Sequence, residues 1–193
     1  MLHLKLPTDP RWANVAEKSL EFILSDHAYC EQKAASTCIS LIVLYADHDE
    51  LVDTLSPVVA EEWEHFELVM EQIRKRGFSL GKPRKDEYVM RLRDFARKGV
   101  SRKDLLMDKL LTCALIEARS CERFKTLWKN LEDEELSKFY YQFMVSEARH
   151  YTNFISLART YCGREETDKR WEEYLAFEAQ VLQEIELRGD RMH

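Results

Sequence analysis

The sequence predicts an all-α fold, a four-helix bundle with additional short and C-terminal helices. Three observations carry that expectation. Gly and Pro together supply nine of 193 residues, where roughly 12% is average, and this excludes turn-dense β and collagenous architectures. Leu occurs 24 times against 17 for Val and Ile combined, and Glu, Lys, Arg and Ala are abundant, a composition that favours helix over strand. Apolar residues recur at steps of three and four over stretches of roughly 30 residues, or roughly 45 Å of helix, which suits a bundle. With 45% hydrophobic and 33% charged residues, one domain spanning 1–193 has material for both a core and a soluble surface.

The few breakers divide the chain, since Gly77, Gly81, Gly99 and Gly163 fall where apolar patterns stop. The first long helix is expected from Pro10 to Asp47, with a break near Ser25 or Asp26. The second runs from Glu50 to Arg76, and Ser56-Pro57 suits an N-cap and first helical position for its main rod. A short helix, Lys85–Lys98, lies in the charged connection. Ser101 opens a third long helix to Asn130, Asp133 a fourth to Cys162, and Glu165–Arg188 closes the chain. No stretch is long and apolar enough to span a bilayer, and Met1–Pro10 lacks the basic and apolar regions of a signal peptide, so a cytoplasmic location is expected. The five cysteines form no C-x-x-C pair, which argues for reduced thiols in a core and against zinc ribbons.

Each inward stripe contains an acid. The first reads Leu24, His27, Glu31, Ala35, Cys38, Ile42; the second Leu55, Val58, Glu62, His65, Val69, Ile73; the third Leu110, Cys113, Glu117, Cys121, Phe124; the fourth Phe143, Glu147, His150, Phe154, Leu157. A carboxylate on a core face is costly unless an ion or a partner compensates it. Glu62 to His65 and Glu147 to His150 are both Glu-x-x-His, which puts two donors on one helix face a turn apart. Glu31 lies 31 residues before Glu62, and Glu117 lies 30 before Glu147, so the chain reads as two copies of one helix pair. Two Glu-x-x-His matches among 23 glutamates are unremarkable by counting. Their shared place on apolar stripes, each behind an upstream inward glutamate, gives them weight. Four carboxylates and two imidazoles are the ligand set of di-iron and di-manganese bundles. His27, one turn before Glu31, reads either as a satisfied core histidine or as a partner of Glu31. Glu61, Glu64 and Glu122 fall off the stripes and are expected at the surface.

This constellation resembles the ferritin-like di-iron carboxylate superfamily. The resemblance implies one iron at Glu31, Glu62 and His65 and another at Glu117, Glu147 and His150, with Glu62 and Glu147 as bridges. Charge adds a second clue, because Arg74–Lys109 carries a net charge of +8 while the rest of the chain carries −14. Such a segment can present one positive surface to a phosphate backbone, and it reads equally as a solvated crossover between helices. Its candidate RNA contacts are Arg84, Lys85, Arg91, Arg93, Arg97 and Lys98.

The stretches Asp26–Ser36, Glu61–Phe66, Leu115–Phe124 and Ser146–Tyr151 make the whole chain similar to the tRNA 2-methylthio-N6-isopentenyladenosine hydroxylases (MiaE). The resemblance implies a non-haem di-iron monooxygenase. Its substrate would be the isopentenyl side chain of the modified adenosine beside the anticodon, with O2 as co-substrate. No flavin, haem or iron–sulfur motif is visible, so an external electron-donor protein is an expected partner, and a monomer or small oligomer is the expected state. Two other readings use the same residues. A ferritin- or rubrerythrin-like ferroxidase or peroxidase needs no RNA, and a helical adaptor would satisfy the inward glutamates with Lys or Arg.

Overall fold

The computed structural model describes residues 2–185 and 190–192. Among them are seven helices: α1 (Arg11–Glu17), α2 (Leu20–Leu44), α3 (Asp49–Lys75), α4 (Glu87–Phe95), α5 (Arg102–Asn130), α6 (Glu134–Cys162) and α7 (Arg164–Glu184). The long segments follow the sequence expectation closely. The expected end of the last helix at Arg188 lies outside the described residues. The starts of three helices are set by side-chain caps, which satisfy amide groups that have no partner within the helix. Asp86 accepts from Val89 N at 3.0 Å, Ser101 from Asp104 N at 3.1 Å, and Asp133 from the amides of Glu135 and Leu136 at 3.0 Å. Gly163 separates α6 from α7 at φ +90°, a backbone conformation that a side chain would strain.

Two expected features of the helices differ. The break in the first long segment falls at Lys18–Ser19, and Ser25 and Asp26 are buried within α2. They read as breakers because they are polar, yet both are satisfied from outside the helix. Ser25 Oγ accepts from Gly81 N at 3.1 Å, and Asp26 accepts from Met192 N at 2.9 Å and pairs with Arg191 at 3.1 Å. Pro57 does not open a new rod; it lies inside the continuous α3, where Ser56 Oγ donates to Val52 O at 2.6 Å.

The chain gathers into two compact units. One comprises Asn14–Lys85 with the described residues at 190–192. In it α2 and α3, joined by a short link, pack as an αα-hairpin. Its core contains Ile23, Leu24, Ala28, Ala35 and Leu41 of α2 with Leu51, Leu55, Val58, Val69 and Ile73 of α3. Burying each such branched side chain is worth about 1.5–3 kcal/mol. The connection after α3 is tied to α2 by Tyr29 Oη, which donates to Gly81 O at 2.8 Å, and Arg84 pairs with Asp190 at 2.6 Å.

The other unit comprises the residues before Asn14 and those from Asp86 to the end of α7. Here α5 and α6 form the second hairpin, with α7 against both and α4 against α5 and α7. Phe124, Phe139, Tyr140 and Phe143 meet at centroid distances of 4.6–5.6 Å, mostly edge-on or tilted. The unit also buries polar groups that periodicity did not reveal. Arg119, wholly buried, meets Glu178 at 2.6 Å and donates to Leu6 O at 3.0 Å and Thr8 Oγ1 at 3.2 Å. Glu122 is not a surface acid: it is half-buried, pairs with Arg119, and accepts from Thr8 N and Oγ1 at 3.0 and 2.9 Å. Arg123 lies over the Trp12 ring at 4.3 Å, and burial pushes its guanidinium down to about 10. These contacts pin the chain before α1 to the helix that carries Glu117.

Candidate metal centre

In the first unit, α2 supplies Glu31 and α3 supplies Glu62 and His65. Helical spacing sets these positions, because Glu62 and His65 stand one turn apart on the stripe that also buries Val58, Val69 and Ile73. Glu31 is 4% exposed and Glu62 1%. Each of the three residues offers a donor atom within 4.8 Å of the others. His65 Nδ1 lies 3.2 Å from Glu31 Oε2 and 3.6 Å from Glu62 Oε2. Donors at right angles around one ion, with bonds near 2.1 Å, stand about 3 Å apart, so these separations fit a shared cation. Hard oxygens with one nitrogen suit iron or manganese.

Electrostatics favour a positive occupant. Burial pushes the Glu31 carboxyl up, but the contacts with His27 and His65 outweigh it and hold the group well below the usual carboxylate range. Burial also works against protonation of His65, and Glu31 and Glu62 overcome it, raising the imidazole to about 10. Without metal, a proton on His65 supplies the cation that the two carboxylates demand. An imidazole ligand must be neutral, so His65 would have to give up that proton to hold an ion here.

The second unit repeats the arrangement. Glu117 comes from α5, and Glu147 and His150 from α6; all three are buried, and their donor atoms lie within 4.8 Å of one another. Each half-set of the expected six ligands is therefore assembled within its own hairpin. His27 is 0% exposed, and its Nε2 stands 2.8 Å from Glu31 Oε1. Glu61 is half-buried, 3.8 Å from His65 Nε2, and Glu64 is exposed. Phe124, Phe143 and Phe154 are buried.

The basic segment divides into two kinds of cation. Arg84, Arg91 and Arg97 are partly buried in ion pairs, with Asp190, Glu184 and Asp108 respectively. Lys85, Arg93 and Lys98 are exposed, and Lys98 stands 3.9 Å from Asp94. Sequence spacing could not separate them, because the acids that take up Arg84 and Arg91 come from distant segments and Arg97 meets Asp108 across a turn of the chain. A surface cavity of about 480 Å³ beside Arg97, Lys103 and Arg170 is lined by acids as well, with Lys103 on Glu166 at 2.8 Å and Arg170 on Glu173 at 2.7 Å. Its charges are largely internally matched. No helix among the described residues is long and apolar enough to cross a membrane.

The chain is similar to known proteins over most or all of its length. The family model described as tRNA-(MS[2]IO[6]A)-hydroxylase (MiaE) matches residues 1–193. A tRNA 2-(methylsulfanyl)-N(6)-isopentenyladenosine(37) hydroxylase from Pseudomonas putida is 39% identical over 180 residues, covering 93% of this chain and 86% of the relative. The protein of the same description from Salmonella typhimurium is 29% identical, covering 81% of this chain and 75% of its own. Among solved structures, protein 43 with aldehyde deformylating oxygenase activity from Synechococcus superposes with a TM-score of 0.92 at 34% identity, covering 98% of this chain and 94% of that one. The all-α fold is that of the ferritin-like di-iron proteins.

Proposed function

The chain belongs to the MiaE family of tRNA hydroxylases, and on that premise we propose that it hydroxylates the isopentenyl side chain of 2-methylthio-N6-isopentenyladenosine in tRNA with two iron ions, O2 and electrons from an external donor protein. The observation that carries the metal reading is the repeated half-set, with two buried carboxylates and one imidazole within 4.8 Å in each hairpin. Glu31, Glu62 and His65 would hold one ion, and Glu117, Glu147 and His150 the other. Iron bound there supplies oxygen activation and C–H hydroxylation, consuming two electrons per turnover.

The chain's own part is preorganisation. Four carboxylates and two imidazoles are held on packed helices, so metal binding requires little rearrangement of the backbone. His65 gives up its proton as the ion enters, and burial of the ligands keeps bulk water from competing for the metal. The exposed Lys85, Arg93 and Lys98 supply phosphate contacts that add affinity for tRNA without reading its sequence. A tRNA substrate would put its work in the cytoplasm, and a monomer or small oligomer would suffice for it.

The test is mass spectrometry of nucleosides digested from isopentenyl-modified tRNA after incubation with ferrous-loaded protein, reductant and O2. Gain of one oxygen on the modified adenosine, absent with Glu117→Ala, is the expected result. Two bound irons with oxygen consumption but no modified nucleoside would replace this reading with ferroxidase or peroxidase chemistry.

A further inference from the structure

Three aromatic side chains stand exposed among the described residues: Phe22, Trp63 and Tyr141. Their charge surroundings differ. Trp63 is followed on α3 by the exposed acids Glu64 and Glu67, and Tyr141 follows the acidic first turn of α6 at Glu134 and Glu135. Phe22, 55% exposed, is the one of the three with a guanidinium over its ring, that of Arg84 at 5.4 Å from the centroid. Arg84 belongs to the run Lys82-Pro83-Arg84-Lys85, which carries three cations and no acid. Lys82 and Lys85 are exposed.

The place of Arg84 is fixed from two sides. Its Nη1 donates to Asp190 Oδ2 at 2.6 Å and its Nη2 to Asp190 O at 2.8 Å, which holds the plane of the guanidinium. The connection that carries it is tied to α2, where Gly81 N donates to Ser25 Oγ at 3.1 Å and Tyr29 Oη donates to Gly81 O at 2.8 Å. Phe22, Ser25, Asp26 and Tyr29 stand at steps of three and four and so share one face of α2. Ser25 and Tyr29 are taken up by the connection, and Asp26 by Arg191 and the amide of Met192. The Phe22 ring, at the end of this face, stays open to solvent. An exposed ring held against a fixed guanidinium, in company with lysines, suits an unpaired nucleobase: the ring offers a stacking surface and the cations hold phosphates.

We propose that Phe22, backed by Arg84, is a stacking platform for one unpaired base of an RNA loop, with Lys82 and Lys85 contacting neighbouring phosphates. The base lies on the open face of the ring. A paired stem presents no free base face, so the platform selects a loop over a stem. The inference rests on the tRNA reading proposed above, and adds a contact with a base where Lys85, Arg93 and Lys98 touch only phosphates.

The experiment is fluorescence anisotropy of the full chain over a range of salt with two labelled RNAs of equal phosphate number, a stem-loop and a blunt duplex. Phe22→Ala weakens binding of the stem-loop by about 5–150-fold, the effect of losing one stacked base. It leaves the duplex affinity and the salt slope unchanged, because no charge is removed. Phe22→Trp retains the stem-loop affinity, and emission from its added indole is quenched by the stem-loop but not by the duplex. If Phe22→Ala fails to fold, the quenching in Phe22→Trp decides the matter. Equal stem-loop affinities in wild type and Phe22→Ala overturn the inference and leave the tRNA reading standing. A loss shared by the duplex, or unquenched emission from Phe22→Trp in the bound complex, does the same. A wild-type chain that binds neither RNA overturns the tRNA reading itself, and the inference with it.

Discussion

Glu178→Leu would remove half of an ion pair whose two side chains are both 0% exposed. Glu178 Oε1 accepts from Arg119 Nε at 2.8 Å and from the Tyr88 hydroxyl at 3.3 Å. Burial pushes the Glu178 carboxyl up in spite of the guanidinium beside it, so desolvation dominates the pair and its net worth against two apolar residues is small. A lone guanidinium in the same place is another matter, since breaking a buried pair costs roughly 3–5 kcal/mol. Arg119 would keep Glu122, Thr8 Oγ1 and Leu6 O, which puts the loss at the low end, about 3 kcal/mol. For a chain of this length that lowers the melting temperature by about 6–12 °C. Glu178→Gln retains an acceptor for Arg119 and should cost about 1 kcal/mol. The assay is thermal and urea unfolding of Arg119→Met, Glu178→Leu and the double variant. The double variant should lose less than the sum of the singles, by about 1–3 kcal/mol. Additive losses, or Glu178→Leu melting with the wild type, would refute the reasoning.

Other outcomes follow from the same structure. Ferrous ion at 100 times its dissociation constant should stabilise the chain by about 2.7 kcal/mol, raising the melting temperature by about 5–10 °C, and Glu62→Ala or a chelator should remove much of that increment in differential scanning calorimetry. Neutralising Lys85, Arg93 and Lys98 together should reduce the slope of log affinity for tRNA against log salt by about 2–3 in fluorescence anisotropy; an unchanged slope would place the RNA surface elsewhere. Burial raises the Asp108 carboxyl, but Arg97 and Arg170 outweigh it and hold it below its usual 3.8. Its contribution to stability is therefore present above about pH 4 and lost as pH falls through the folded-state value. Asp108→Asn should cost about 3 kcal/mol at neutral pH and flatten the acid limb of a melting-temperature profile.

Much of the candidate site was legible because a helix imposes a period. Glu62 and His65, or Glu147 and His150, share a face through spacing alone, and the apolar residues around them mark that face as inward. Helix starts at Ser101 and Asp133 were legible for an equally local reason, since a cap and the amides it satisfies lie within three residues. Asp26 and Ser25 misled because their partners, Met192, Arg191 and Gly81, come from remote segments. Glu122 and Arg119 were missed for the same reason: Thr8, Leu6 and Glu178 meet them only after folding.

The sequence by itself determined the helical class, the two glutamate-containing hairpins and the residue types of the candidate ligand set, because propensity, period and capping act over a few neighbouring residues. The tertiary structure alone decided the fate of the polar groups: that Arg84, Arg91 and Arg97 are taken up by acids, and that Lys85, Arg93 and Lys98 stay exposed. Electrostatic partnership depends on distance in space, and separations of 34 residues between Glu31 and His65, or 106 between Arg84 and Asp190, carry no local signal.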